Sequence, residues 1–356
     1  MIDPAKALAE LEAVTVAFQW TLVRLGIKAI AEAMKLWRRM PANKAVEQAD
    51  EYLKDAVHVV LTHRAESRAL AVAYYRLARA LRTGTTIPDP YDPIPKQVTL
   101  GELRREFARL TDSVDQPSEP PADAGAGATP TEDTPDNSKS SEGDSEVIPI
   151  EPLEGIDENG DADAAPIERD ADQEARLVLK ALGPSSLKRR TDEIDTTRPA
   201  DEVDKLRDEA HTKAGARQAA AAARIVQNGA RDTVHSLAER DKRVIGYVRV
   251  SKTGTPCGFC AMLISRGVIF YSSESSATYR ADGEKYHDNC NCIAIPVYSM
   301  SDYEKSSTYA RNREYSKLWP AVTRGLSGKK ALSAWRRYFR NTRQTGDSDT
   351  GSALAA

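Results

Sequence analysis

Apolar residues recur at helical spacing from Leu8 through Leu11, Val14, Phe18, Leu22, Leu25, Ala29 and Ala33 to Leu36. They follow Asp3-Pro4, a good helix cap and first-turn pair, so the pattern predicts a long N-terminal helix. A second long helix is expected from about Asn43 to Arg82, between Pro41 and Gly84. Thr99 and Glu102 have the spacing of a capping box and open a short third helix to about Leu110. Periodicity then lapses and resumes at residue 173, with a short helix ending at Gly183-Pro184 and a long Ala-rich one from Asp201 to about Arg240. Its run Ala219 to Ala223 is too small-sided to form a core alone, which implies close packing on another helix or subunit.

At Val244 the period changes. Val244 to Val250 is β-branched and aromatic enough to be a strand, Gly267 to Tyr271 reads as a second and Ile293 to Val297 as a third, with a helical turn over Ala261 to Ser265. The expected fold class is α+β and predominantly α-helical: long helices plus a small β-containing Cys/His module.

Composition explains the lapse. Residues 113–172 hold eighteen acidic residues against Lys139 and Arg169, a net charge of −16, so the rest of a chain of net −3 carries +13. A Pro/Gly/Ser/Asp/Glu-rich segment of this kind buries too little apolar surface to offset its chain entropy and is expected to be a disordered acidic linker. The organisation read from the sequence is a helical region over 1–112, that linker over 113–172, a helical region over 173–243, a Cys/His (zinc-ribbon-like) module over 244–298, and a basic aromatic tail over 299–356.

All four cysteines and one of the five histidines fall within 36 residues: Cys257-x-x-Cys260, a 26-residue gap, then His287-x-x-Cys290-x-Cys292. Two knuckle-like clusters of thiol and imidazole donors suit a tetrahedral zinc ion, although five candidates exceed the four that a closed site uses. Cys290 and Cys292, two apart, would share a face on a strand, so that both ligate or one is only buried. Disulfides, permitted by the even count, and buried inert thiols are the other readings. Neither a signal core at Met1 to Lys6 nor an uncharged apolar run long enough for a membrane span is apparent, and a reducing cytoplasm favours ligand thiols. A thiol of Cys257 or Cys260 activated by His287 is the enzymatic alternative. No Gly-x-Ser-x-Gly elbow or His-Glu-x-x-His helix is present, and no catalytic residue is assigned.

Arg64, Arg68, Arg76, Arg79 and Arg82, interleaved in the second helix, read as a solvated face or as a row docking on an acidic partner or nucleic acid. His58 and His63 are expected to be packing residues, and His211 and His235 to lie on the Ala-rich helix without partners. Residues 300–345 hold eleven Lys and Arg with interleaved aromatics. Lys329, Lys330, Arg336, Arg337 and Arg340, with Trp335, mark an amphipathic helix from about Lys329 to Arg340 that contacts DNA or docks on a protein partner through Trp335 and Phe339.

The order long helix, strand, Cys-x-x-Cys, Arg266-Gly267-Val268-Ile269, then Tyr286-His287-Asp288-Asn289-Cys290-Asn291-Cys292 resembles the phage Mu F-like minor head protein family. Pro256-Cys257-Gly258-Phe259-Cys260-Ala261-Met262-Leu263, with Ala73-Tyr74-Tyr75-Arg76-Leu77 and Arg82-Thr83-Gly84 upstream, is similar to the version found in tailed phages of actinobacteria. The resemblance covers about residues 201 to 298. It implies a minor capsid protein of head morphogenesis inside the head near the portal, with portal, major capsid or scaffold proteins and packaged DNA as partners. Neither a membrane nor a small-molecule substrate is expected as a partner, and the location that goes with this reading is the host cytoplasm during assembly and then the virion. A capsid maturation protease is the alternative, and a host DNA-binding zinc protein a third class.

Overall fold

The computed structural model describes residues 3–41, 43, 47–90, 97–114, 144–153, 164–251, 256–270 and 286–346. Its helices are α1 (Pro4–Arg39), α2 (Ala49–Thr83), α3 (Leu100–Ser113), α4 (Ala164–Leu182), α5 (Pro184–Asp192), α6 (Ala200–Glu239), α7 (Gly258–Ser265), α8 (Met300–Lys305), α9 (Ala310–Val322) and α10 (Gly328–Gly346). The strands are β1 (Gln97–Thr99), β2 (Val147–Pro149), β3 (Gly246–Val250), β4 (Ile269–Phe270) and β5 (Ile293–Val297). The protein is therefore predominantly helical with a minor β component, as the periodicities predict.

Local chemistry sets the helix ends. The Asp3 carboxylate accepts from the amide of Ala5 at 2.8 Å, and Gly84 ends α2 in the left-handed region at φ 71°. Thr99 and Glu102 form the expected capping box on α3.

α1, α2 and α6 pack pairwise into a bundle around Phe18, Leu25, Trp37, Leu53, Leu70, Leu77, Ile225 and Val234. Ala219, Ala221 and Ala222 are buried, so the small-sided run does pack closely, on helices of the same chain. α1, the long N-terminal helix expected from the periodicity, is long and apolar enough to cross a membrane by length and composition, where the sequence shows no uncharged apolar run of span length. Its apolar face, from Phe18 to Trp37, is taken up by the bundle.

Part of the segment expected as linker is ordered. β2 pairs antiparallel with β1, with Val98 opposite Ile148, and Ile148 is buried. The Glu151 carboxylate pairs with Arg79 and Arg243, and α4 begins at Ala164. The short apolar run Val147-Ile148-Pro149-Ile150 gains strand pairing and burial that the composition of its acidic surroundings hides. Residues 115–143 and 154–163 of that expected linker lie outside the described residues.

The arginines of α2 form neither a solvated face nor a free docking row. Arg64, Arg76 and Arg79 are buried and pair with Asp232, with Glu106 and Asp89, and with Asp241 and Glu151, while Arg82 pairs with Asp302. His58 is exposed rather than packed, and buried His63 lies between Glu32 and Glu66. His211 stacks on Trp37 and meets the Met40 carbonyl at 2.9 Å, and His235 lies 3.4 Å from Glu239, so both have partners after all.

β3 is the centre of an antiparallel sheet of order β4-β3-β5, and β5 packs on α6. The expected tail is folded too: α9 and α10 pack on α7 and enclose a second apolar cluster containing Cys260, Met262, Ile264, Tyr286, Cys290, Cys292, Tyr315, Trp335 and Phe339. An amphipathic helix needs a surface for its apolar face, and α10 finds it within the chain.

Candidate metal centre

Cys257 is the N-cap of α7, and its sulfur accepts from the Cys260 amide at 3.4 Å, so the helix start draws the two thiols together. The opposite half is a tight turn in which the Cys290 amide donates to the His287 carbonyl at 3.1 Å. Asn289 takes φ 61° there, a left-handed conformation that asparagine tolerates better than most residues. Cys292 lies just before β5, so Cys290 and Cys292 are not on a strand as the spacing had suggested; both are nevertheless buried.

The two halves meet. His287 Nε2 lies 2.8 Å from Cys257 Sγ, and Cys260 Sγ lies 3.4 Å from Cys290 Sγ. The ligand atoms form two overlapping triads, Cys257/Cys260/His287 and Cys260/Cys290/Cys292, each within 4.8 Å. All four cysteines are free thiols in this structure.

Electrostatics favours a cation at this point. Cys257 is pulled down to about 4 by hydrogen bonding with Cys260 and then His287, and His287 rises to about 9 chiefly through its hydrogen bond to Cys257. Contacts with Cys260 and Cys292 hold Cys290 below the ordinary thiol range, with Arg231 and Arg249 adding to the effect. Cys292 is pushed up to about 12, because a neighbouring thiolate and burial outweigh its contact with Cys260. Crowded buried sulfurs cannot all ionise unless a positive charge sits among them.

The donor set fits a metal ion. His287 Nδ1 lies 2.6 Å from the Asp288 carbonyl and donates to it, so Nε2 is the nitrogen turned toward the thiols and would offer its lone pair once a metal displaces its proton. A tetrahedral zinc ion with bonds of about 2.3 Å holds its sulfurs about 3.8 Å apart, close to the observed Cys260 to Cys290 spacing. The same 2.8 Å contact between Cys257 and His287 also meets the distance requirement of a nucleophile and its base.

Side chains that the spacing argument missed wall the site. Arg231 from α6 donates to the Cys290 carbonyl, Arg249 from β3 faces Cys260 Sγ at 3.7 Å, and both lie over the Tyr286 ring. Arg224 holds Asp288 at 2.9 Å. An arginine within the apolar strand Val244 to Val250 was the one local signal that could have flagged Arg249.

The other expected site residues divide. Trp335 is fully buried, 5.0 Å from Trp319 and 4.8 Å from Phe339, so it is a core residue and not a docking one; Phe339 is buried with it. Lys329, Lys330, Arg336, Arg337 and Arg340 are exposed on α10 and are not among the candidate ligands, although Arg336 also lies over Gly258.

No curated protein and no solved structure matches the chain. From the middle of α4 to α9, a span that includes all five candidate ligands, residues 177–318 match the family model of the VG15 protein, a phage-associated family.

Proposed function

We propose that this chain is a minor capsid protein of the Mu F-like kind, acting in phage head morphogenesis near the portal as an assembly component and not as an enzyme. The observation that carries the reading is the coincidence of the phage-family match with the Cys/His cluster, which lies where sheet, α6, α7 and the α9–α10 pair converge. In this reading Cys257, Cys260, His287 and one or both of Cys290 and Cys292 hold a structural zinc ion, which supplies the cohesion that a small module lacks. The bundle then presents surfaces to portal, major capsid or scaffold proteins in the capsid interior. The exposed cations of α10 face packaged DNA.

Co-purification of tagged protein with neighbouring head components, with metal analysis of the same sample, tests this. Presence in assembled heads with about one zinc per chain supports it, and absence from heads defeats it. The short Cys257 to His287 contact favours a second reading, a thiol peptidase of capsid maturation. Cys257→Ser separates the two: loss of metal and of the module's fold supports structure, whereas an intact fold with lost cleavage supports the peptidase.

A further inference from the structure

Arg231 is 3% exposed and lies beside the candidate ligands, where its guanidinium donates to the carbonyls of Gln227 and Asn228 side chains and to the Cys290 main chain. Arg249 points a guanidinium nitrogen at Cys260 Sγ. Their guanidinium carbons lie 4.0 and 4.2 Å from the centroid of the buried Tyr286 ring, so one aromatic side chain positions both cations. Neither forms an ion pair with a carboxylate among the described residues, in contrast to Arg64, Arg76 and Arg79 of α2.

Arg231 is buried and Arg249 half-buried, and cations so placed without a carboxylate partner favour another anion close by, because desolvating a charge is costly unless it is paired. The sulfurs are the candidates at hand. A divalent ion bound by three thiolates and one imidazole carries a net charge of about −1, and by four thiolates about −2. Neutral thiols would leave the guanidiniums uncompensated.

We infer that Arg231 and Arg249, positioned by Tyr286, are the counter-ions of an anionic metal–thiolate centre and govern how tightly it holds its ion. The inference rests on the proposal that the thiolates bind a divalent metal. Arg249 acts on a ligand sulfur directly. Arg231 acts through the carbonyl of Cys290, and so orients the turn that presents that thiol.

The test uses the full-length protein loaded with Zn²⁺, with affinity read by competition against a chromogenic chelator and sulfur accessibility by iodoacetamide alkylation. Arg249→Met and Arg231→Met keep the bulk and remove the charge. Each is expected to weaken zinc binding about 10–100-fold and to speed alkylation of the loaded protein, with helical circular dichroism unchanged. Arg249→Lys restores most of the affinity, which a purely steric role would not require. Zinc binding as tight as wild type in both methionine variants overturns the inference while leaving the metal reading intact. A wild-type chain that binds no zinc removes both. Should Arg249→Met fail to fold, Arg231→Met carries the test with the same expected loss.

Discussion

Arg79 of α2 and Asp241, just after α6, form an ion pair at 2.8 Å in which the two side chains are only 2% and 1% exposed. Tyr75 donates to the same Asp241 oxygen at 2.9 Å, and Arg79 also reaches Glu151 beside β2. One buried carboxylate thus joins the bundle to the entrance of the sheet. Asp241→Ala removes the buried carboxylate from the Arg79 guanidinium, which keeps Glu151, and from the Tyr75 phenol, and is expected to cost about 3 kcal/mol in urea denaturation. Replacing the pair together, Arg79→Met with Asp241→Leu, should cost less. A single mutant within about 0.5 kcal/mol of wild type would mean that the pair is not formed in solution.

His63 makes stability depend on pH in a definite direction. Burial alone would depress its imidazole, but hydrogen bonds and charge from Glu66 of α2 and Glu32 of α1 outweigh it and raise the pKa above 6.5, with Lys28 also close enough to act on Glu66. The charged form is therefore favoured by folding, so its contribution is complete below about pH 6.5 and is lost as pH rises through the elevated folded value. The urea midpoint of wild type relative to His63→Gln should fall across that alkaline window. A constant difference from pH 6 to 9 would exclude the linkage.

Metal removal should act locally. With zinc held as proposed, chelation would withdraw a cation from beside Cys260, Cys290 and Cys292 at the edge of the second apolar cluster, where Trp319 and Trp335 lie 5.0 Å apart. Indole fluorescence should red-shift as that cluster loosens, while most of the helical signal from α1, α2 and α6 remains. Acidification should do the same, because thiol and imidazole ligands must be deprotonated to bind. Fluorescence unmoved by chelator in a zinc-containing sample would count against the site.

The outward cations of α10 can be read through salt. Lys329, Lys330, Arg336, Arg337 and Arg340 are exposed, and five phosphate contacts would give a log–log salt slope for duplex DNA binding of about −4.5. Lys330→Ala with Arg337→Ala should shallow that slope by about 1.8. Binding indifferent to salt would point the helix at a protein neighbour instead.

What was legible in the sequence was local. Asp3-Pro4, Thr99 with Glu102, and Gly84 mark helix ends because capping chemistry acts over three or four residues. The Cys/His window was legible because each half of the site, one a helix start and the other a tight turn, spans only a few residues. Arg64 and Arg82 were not, since their partners Asp232 and Asp302 lie 168 and 220 residues away along the chain. Val147 to Ile150 was hidden by its acidic flanks. Trp335 misled for another reason: an amphipathic pattern says that a face must be covered, and leaves open whether the cover comes from the same chain.

A close approach of α6 to α2 at Gly229 gives a test in which two effects oppose each other. Helix propensity alone favours Gly229→Ala by about 1 kcal/mol. The added methyl, however, would lie 2.6 Å from Ser67 Oγ, 2.8 Å from Arg64 Cγ and 2.9 Å from the Arg64 carbonyl oxygen. A hydroxyl can rotate away, but a backbone oxygen moves only with its helix. Ser67 also donates to the Val226 carbonyl at 2.6 Å and Arg64 to the Ile225 carbonyl at 2.9 Å, so separating the helices strains both bonds. Overpacking of this kind costs about 1–3 kcal/mol before any loss of those bonds, so the clash should win and the variant should be less stable than wild type. Gly84→Ala isolates the other glycine effect, since φ is 71° there and the space is open. Its cost should be about 1–2 kcal/mol from backbone strain alone, with no change in helix packing. A Gly229→Ala protein that melts above wild type would show that α2 and α6 are further apart than this contact requires.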